Sequence, residues 1–314
     1  MRKSFAEIAL RSFALLWQNF VLTYPLLFFI LLFSMLMPQG EEPALEPRWI
    51  LFFAGFFLIF SGMMAGSFAM IARAVRLYLE REKNPPKPPA EGEPPQLPTT
   101  FGDISTILKE FFPGVGRHFV HFVAGLLVQI GAIWLISLWF DHQMALAGGF
   151  PAAIQKVQAL QNQAAAGTNL DAAKFLASLT PDEKSQLNSL GLLMLSSMAM
   201  YGAFFFVTAF WPAFVVLLDK PVWSAYWQSL RQCIVRPLTL IATVFLFIGL
   251  FMLFSLLPQT GSALLAALWH FLTVMLFVYL GIVVVMTVAD THGLEALPPL
   301  AAEAGKGTVL DKRG

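Results

Sequence analysis

The chain has 314 residues, of which 57% are hydrophobic and 12% charged, where a soluble domain carries about 25% charged residues. Charge this sparse cannot cover a water-facing surface, so a soluble globular protein is excluded and an integral membrane protein indicated. A net charge of +1 leaves no basic footprint for nucleic acid, and one cysteine excludes an internal disulfide framework and any multi-cysteine metal site.

Along the chain, Ser4-Phe5-Ala6-Glu7-Ile8 comes first. Ser4 can accept the backbone N–H of the third helical residue, and Glu7 sits in the positive first turn. The first uncharged run, Phe20 to Met37, contains Pro25, which removes a helix hydrogen bond and predicts a kink. The second, Ile50 to Ala72, carries Gly55, Gly62 and Gly66 on one face, with Gly62 and Gly66 forming a GxxxG motif; close packing within the molecule is the simplest use of such a face, with self-association next. Residues 84–98 (NPPKPPAEGEPPQLP) read as an extended linker. Thr100-Phe101-Gly102-Asp103-Ile104 then repeats the order hydroxyl, Phe, small, acid, Ile ahead of the third run, Phe119 to Phe140. The following loop, residues 141–188, is rich in Ala and Gln, and the helical spacing of Ile154, Val157 and Leu160 predicts short helices there. Thr180-Pro181-Asp182-Glu183 supplies a capping box, so the next helix should start well before the fourth run, Leu190 to Leu218, in which Pro212 predicts a second kink. A looser third copy of the capping pattern, Val222-Trp223-Ser224-Ala225-Tyr226 with Asp219 as N-cap, precedes the fifth run, Leu238 to Leu257. The sixth, Ala263 to Ala289, contains His270, and a Gly- and Ala-rich tail comes after it.

None of the six runs contains Asp, Glu, Lys or Arg, and a hydrocarbon core of about 30 Å needs about 20 such residues. With the N-terminus inside, the outer loops hold only Arg48, Lys156, Lys174 and Lys184 of the 20 Lys and Arg residues, so the positive-inside rule places both termini in the cytoplasm. Behind the three capping patterns the apolar residues keep helical phase. Phe5, Ile8, Phe13, Leu16 and Phe20 share a broad face, as do Phe101, Ile104, Leu108, Phe111 and Val115, and Trp223, Tyr226, Leu230 and Ile234. Opposite stand Glu7, Arg11 and Gln18, then Lys109 and Glu110, then Gln228 and Arg231. The expected fold class is therefore all-α: a polytopic membrane protein with six transmembrane helices in three hairpins, each preceded by an amphipathic helix in the cytoplasmic interface. The hairpin units are residues 1–83, 100–218 and 219–290, separated by the linker 84–99 and followed by a cytoplasmic tail, 291–314. No signal peptide is expected.

The stretch from Trp211 to Arg231 runs aromatic-Pro-Ala, aliphatic residues, Asp219, then Ala225 and Ser229 at the start of an amphipathic helix. In this it resembles a broad group of bacterial six-span proteins, the YciC-like families and the membrane domain attached to some glycerophosphodiester phosphodiesterases. The stretch from Phe5 to Asn19 is similar in kind. The resemblance implies a six-span fold in the bacterial inner membrane and assigns no activity, since phosphodiesterase chemistry belongs to a separate soluble domain.

Candidate sites are few. His118 and His121 stand three apart on one helix without a carboxylate or cysteine spaced to complete a metal set, so no metal and no cofactor is expected. His270 lies inside a span and, with Pro25 and Pro212, forms the candidate intramembrane polar site; an imidazole bonding a neighbouring carbonyl is the structural reading of the same residue. Asp219 and Asp290 end two spans within reach of Lys220, Arg231 or Arg236, and Cys233 is either a buried small hydrophobe or a palmitoylation site. The sequence contains no phosphate loop, HExxH or GxSxG motif. The expectation is a non-enzymatic scaffold, assembly or accessory subunit at the inner leaflet, the alternative a passive carrier, channel or lipid-handling protein with a site between the hairpins. Its expected partners are membrane lipids, other membrane proteins or a second copy of itself, and no nucleic acid.

Overall fold

A computed structural model describes residues 3–36, 47–83, 100–151, 178–238 and 263–293, with single helical positions at 154–156, 158, 241, 242, 245 and 249. The linker 84–99, the tail after Gly293, residues 159–177 of the loop 141–188 and much of the fifth run lie outside the described residues. Among those described, the elements are α1 (Phe5–Gln18), a 3₁₀ turn (Phe20–Thr23), α2 (Tyr24–Leu36), α3 (Pro47–Lys83), α4 (Thr100–Lys109), α5 (Phe111–Leu146), α6 (Pro181–Thr208), α7 (Trp211–Leu218), α8 (Val222–Val235) and α9 (Ala263–His292). The described fold is all-helical. Among the described residues, four helical stretches are long and apolar enough to cross a membrane, Trp49–Lys83, Ile104–Leu146, Pro181–Leu218 and Leu268–His292, and a fifth arises if the bent pair Phe5–Gln18 and Phe20–Leu36 counts as one span.

The chain forms two compact units. One comprises residues 1–126 and 207–314, the other residues 127–206. At the centre of the first stand α7, buried from Trp211 to Leu217, and the second half of α9, where Ile282, Val283, Val285 and Met286 are fully covered. α9 packs against α1, α2, α3 and α7, and α3 packs against α2, α4 and α7. In the second unit Tyr201 bridges two helices, its hydroxyl lying 2.8 Å from that of Ser137, and Phe150 and Leu190 form a small core with Met144, Ile154, Leu187 and Leu193. The capping box at Thr180 forms as the sequence predicts. Thr180 Oγ1 accepts from the Glu183 N–H at 3.3 Å, and Glu183 accepts from the Thr180 N–H at 2.8 Å.

Several boundaries differ from the sequence reading. Asp141 to Leu146 belong to α5 and not to the loop, because no breaking residue occurs before Gly148 and Gly149, which take the positive φ that ends the helix. Pro25 and Pro212 do not kink helices from within. Each is the second residue of a new helix, α2 or α7, where its missing N–H has no helical acceptor to lose. Asp219 does not cap α8: it closes α7 in the left-handed conformation at φ 53°, and Pro221 occupies the N-cap of α8. The second capping copy also departs from the first. α1 is bent by 90° from the segment Phe20–Leu36, whereas Ile104 to Leu146 runs on as one candidate span past a single-residue break at Glu110.

Candidate functional site

The polar residues of the larger unit gather where α1, the last turns of α3 and the end of α9 meet. α1 has three faces. Ile8, Ser12, Leu15 and Leu16 are buried, Leu10, Phe13 and Trp17 are exposed, and Glu7, Arg11 and Gln18 form a polar edge between them. The broad apolar face expected from the sequence is thus split, with Ile8 and Leu16 against protein and Phe13 facing outward. Burial draws α1 onto α9, where the Ser12 hydroxyl points at the Met286 sulfur 3.7 Å away and the Tyr279 hydroxyl donates to the Ala9 carbonyl at 3.2 Å. That docking turns the polar edge toward α3. Arg11 pairs with Glu82 and, at 2.7 Å, with Glu7, while Lys3 reaches the same Glu82 oxygen at 2.8 Å. Hydrogen bonds from Arg11 and Lys3 hold the Glu82 carboxyl down at about 2, below the usual carboxylate range. Glu82 lies well beyond the uncharged run that ends at Ala72.

Two cavities open beside this cluster. One of about 270 Å³ is lined by Lys3, Leu79, Glu82, Lys83, Ala289, Asp290 and Gly293. The other, of about 340 Å³, lies between α1, α3 and α4, with Leu15 and Ile107 on its apolar wall and Gln18, Tyr78 and Arg81 on its polar one.

The corner between α7 and α8 carries the residues of the family-like motif, and each has a packing task. Ser229 donates to the Val207 carbonyl at 2.6 Å and accepts from the Phe210 N–H at 3.1 Å, which ties α8 to the break between α6 and α7. The Trp211 ring fills the notch left by Gly125, where an added Cβ would lie 2.5 Å from it. The Tyr226 ring packs against Trp211 at a tilt, 5.5 Å between centroids, and its hydroxyl donates to the Gly125 carbonyl at 2.8 Å; burial pushes its phenol upward. Ala225 is fully covered. Asp219, half-exposed in its left-handed turn, faces His118 Nδ1 at 3.8 Å. Arg76 donates to the Leu217 carbonyl at 3.2 Å, placing a cation at the negative C-terminus of α7. Farther along α8, Gln232 donates to Thr291 at 2.8 Å and Arg236 pairs with Asp290 at 2.8 Å, both partners of the ion pair being about nine-tenths buried. Cys233 is buried, its thiol donates to the Ser229 carbonyl at 3.0 Å, and burial raises it to about 11, so it is an inert core thiol and not an accessible acylation site.

The structure does not assemble the candidate intramembrane site. Pro25 and Pro212 are buried at helix starts and His270 is exposed on α9; none of the three lines either cavity. The glycine face has a clear use. A Cβ at Gly62 would touch Val115 and Phe119 at 3.7 and 3.8 Å, and one at Gly66 would enter the Phe111 ring, whereas Gly55 meets open space. Gly62 and Gly66 therefore seat α3 against the start of α5. Sequence reasoning missed the reciprocal glycine, Gly114, whose Cβ would collide with that of Ala69. It also missed Gly125 and Arg76, and placed Tyr226 on an apolar face without its bond to the Gly125 carbonyl. The available signal was spacing: Gly114, His118 and Phe122 recur every fourth residue on the buried face of α5. No metal-binding group of three or more His, Cys, Asp or Glu residues exists among the described residues. Comparison of the chain with family models, curated proteins and solved structures finds no match.

Proposed function

We propose that the chain is a six-span inner-membrane protein, built as three hairpins entered from the cytoplasm and with both termini inside, that acts as a non-enzymatic scaffold or accessory subunit at the inner leaflet. The observation that carries this reading is the ion-paired end of the larger unit. Arg11 and Lys3 fasten α1 to Glu82 at the end of α3, and Arg236 fastens α8 to Asp290 at the end of α9. Buried or networked pairs of this kind hold geometry more than they add stability, and a polar end held in one geometry suits a docking platform. The positive-inside asymmetry supports placing that end in the cytoplasm, since it holds Lys3, Arg11, Arg76 and Arg236.

The test is native mass spectrometry of the full chain from lipid nanodiscs, compared with a variant lacking residues 84–98 and with Lys109→Glu, Arg231→Glu. A partner or second copy present on the wild type and lost from the variants is the expected result. Retention of every co-purifying species by the variants, together with flux or lipid scrambling in proteoliposomes that His270→Ala abolishes, would replace the scaffold with a carrier.

A further inference from the structure

α1 and α8 are two versions of one element. Each has 14 residues. The residue before each is extended, Ser4 at φ −70°, ψ 158° and Pro221 at φ −63°, ψ 153°. The residue after each adopts the same uncommon conformation, Asn19 at φ −132°, ψ 58° and Arg236 at φ −134°, ψ 58°. Matching Ser4 to Pro221 brings all of α1's buried positions into register: Ile8 with Ala225, Ser12 with Ser229, Leu15 with Gln232, Leu16 with Cys233. Most exposed positions match too, Ala6 with Trp223, Leu10 with Trp227 and Trp17 with Ile234, while exposed Phe13 falls opposite half-buried Leu230. This register is one residue away from the sequence pattern, which set Ser4 against Val222. A hydroxyl cap and a proline cap share no side-chain chemistry, so this register shows only in backbone and burial.

The faces also keep one rotational order. At 100° per residue, the exposed apolar stripe lies about 150° round from the buried face on both helices, and the polar edge comes next, Glu7, Arg11 and Gln18 on α1 and Ser224, Gln228 and Arg231 on α8. Both helices meet the C-terminal half of α9. α1 touches Tyr279 and Met286, α8 touches Thr291, and Arg236 just after α8 touches Asp290. The same order of faces, met at the same end of α9, is what a common leaflet requires of the two stripes.

We infer that α1 and α8 are paired anchors that lay Leu10, Phe13 and Trp17, and Trp223, Trp227 and Ile234, into a single phospholipid leaflet at headgroup depth. Indole and phenyl rings favour that depth, where an apolar body meets a wet boundary, and the polar edges are placed to stay in water. A protein partner would have to present two matching grooves, whereas a leaflet satisfies both stripes at once. The inference rests on the membrane reading above and adds to it the residues, the register and the common leaflet.

The experiment is spin labelling of the full chain in phosphatidylethanolamine and phosphatidylglycerol vesicles, on a Cys233→Ala background. Labels go at residues 10 and 17, at their counterparts 227 and 234, at the polar positions 18 and 231, and at residue 58 in the uncharged run of α3. Oxygen should outcompete a water-soluble nickel chelate at 10, 17, 227 and 234, with depths that agree within one helical turn, about 5 Å. The order should reverse at 18 and 231. Lipid exposure on one helix and water on the other, or exclusion of both relaxants by a covering protein, would overturn the paired anchors while residue 58 still reports lipid. Water at residue 58 would overturn the membrane reading itself. Because labels can disturb packing, quenching by brominated lipids of the unlabelled protein is compared with Trp17→Phe and Trp227→Phe. Each variant should lose a similar quenched fraction, and a loss in only one of them would refute the equivalence.

Discussion

At the residue scale the larger unit is governed by places where backbones come too close for a side chain. Gly114 meets the Ala69 Cβ, and Ala69 has no rotamer with which to yield. Gly114→Ala should therefore lower stability in detergent by about 1–3 kcal/mol, and Ala69→Gly should restore part of it, a coupling that a double-mutant cycle on thermal unfolding reads directly. Gly55→Ala, in open space, should be neutral or slightly stabilising in the same assay. Ser229 presents a different constraint, because its one hydroxyl serves a carbonyl and an N–H at a break between helices. Ser229→Ala leaves the buried Phe210 N–H without its acceptor and should cost about 1–3 kcal/mol. Thermal unfolding unchanged by that substitution would show that the corner does not depend on it.

At the scale of elements, short helices are fixed to long ones by charge placed at their ends. α1 is held on its buried face by α9 and on its polar edge by Glu82 at the end of α3. The folded carboxyl of Glu82 is depressed to about 2, so its contribution is present above the unfolded value near 4.5 and is lost as pH falls from about 5 toward 2. Glu82 is two-fifths exposed, and solvent screening keeps the contribution small. Thermal stability should fall over that acid range, and Glu82→Gln should flatten the fall; a variant with the wild-type slope would remove Glu82 from the account. α4 and α5 lack such a fastening turn. Their buried positions, Ile107, Glu110, Gly114 and His118, recur at helical spacing straight through the break, so the helix continues where the capping pattern suggested a separate piece.

At the scale of the whole molecule, burial among the described residues is densest in α7, in the second half of α9 and in α3 from Ala65 to Arg76, while the first half of α3 and much of α5 present large apolar side chains outward, among them Leu51, Leu58, Leu127 and Leu135. In a bilayer such side chains lose nothing by facing lipid, and association depends on van der Waals packing and internal hydrogen bonds. Phe214→Ala in the centre of α7 should therefore cost about 2–4 kcal/mol through lost contacts and the cavity left behind. Leu195→Ala, on an exposed face of α6, should leave unfolding in lipid unchanged within error. Equal effects of the two would mean that α7 is not the centre of the fold.

The sequence by itself determined the helical class, the uncharged runs and the capping box at Thr180, because hydropathy, periodicity and local hydrogen bonding are properties of neighbouring residues. It also marked the glycine face of α3 and the motif from Trp211 to Ser229. The tertiary structure alone decided what those residues do: Gly66 receives the Phe111 ring, Ser229 closes a helix break, and Asp219 ends one helix instead of starting the next. It also decided the register in which α1 and α8 correspond. The sequence pattern set Ser4 against Thr100 and, more loosely, against Val222, whereas backbone angles and burial set Ser4 against Pro221. The physical reason is that a local pattern records how a helix can begin, whereas its neighbours decide which face is buried and where the chain turns.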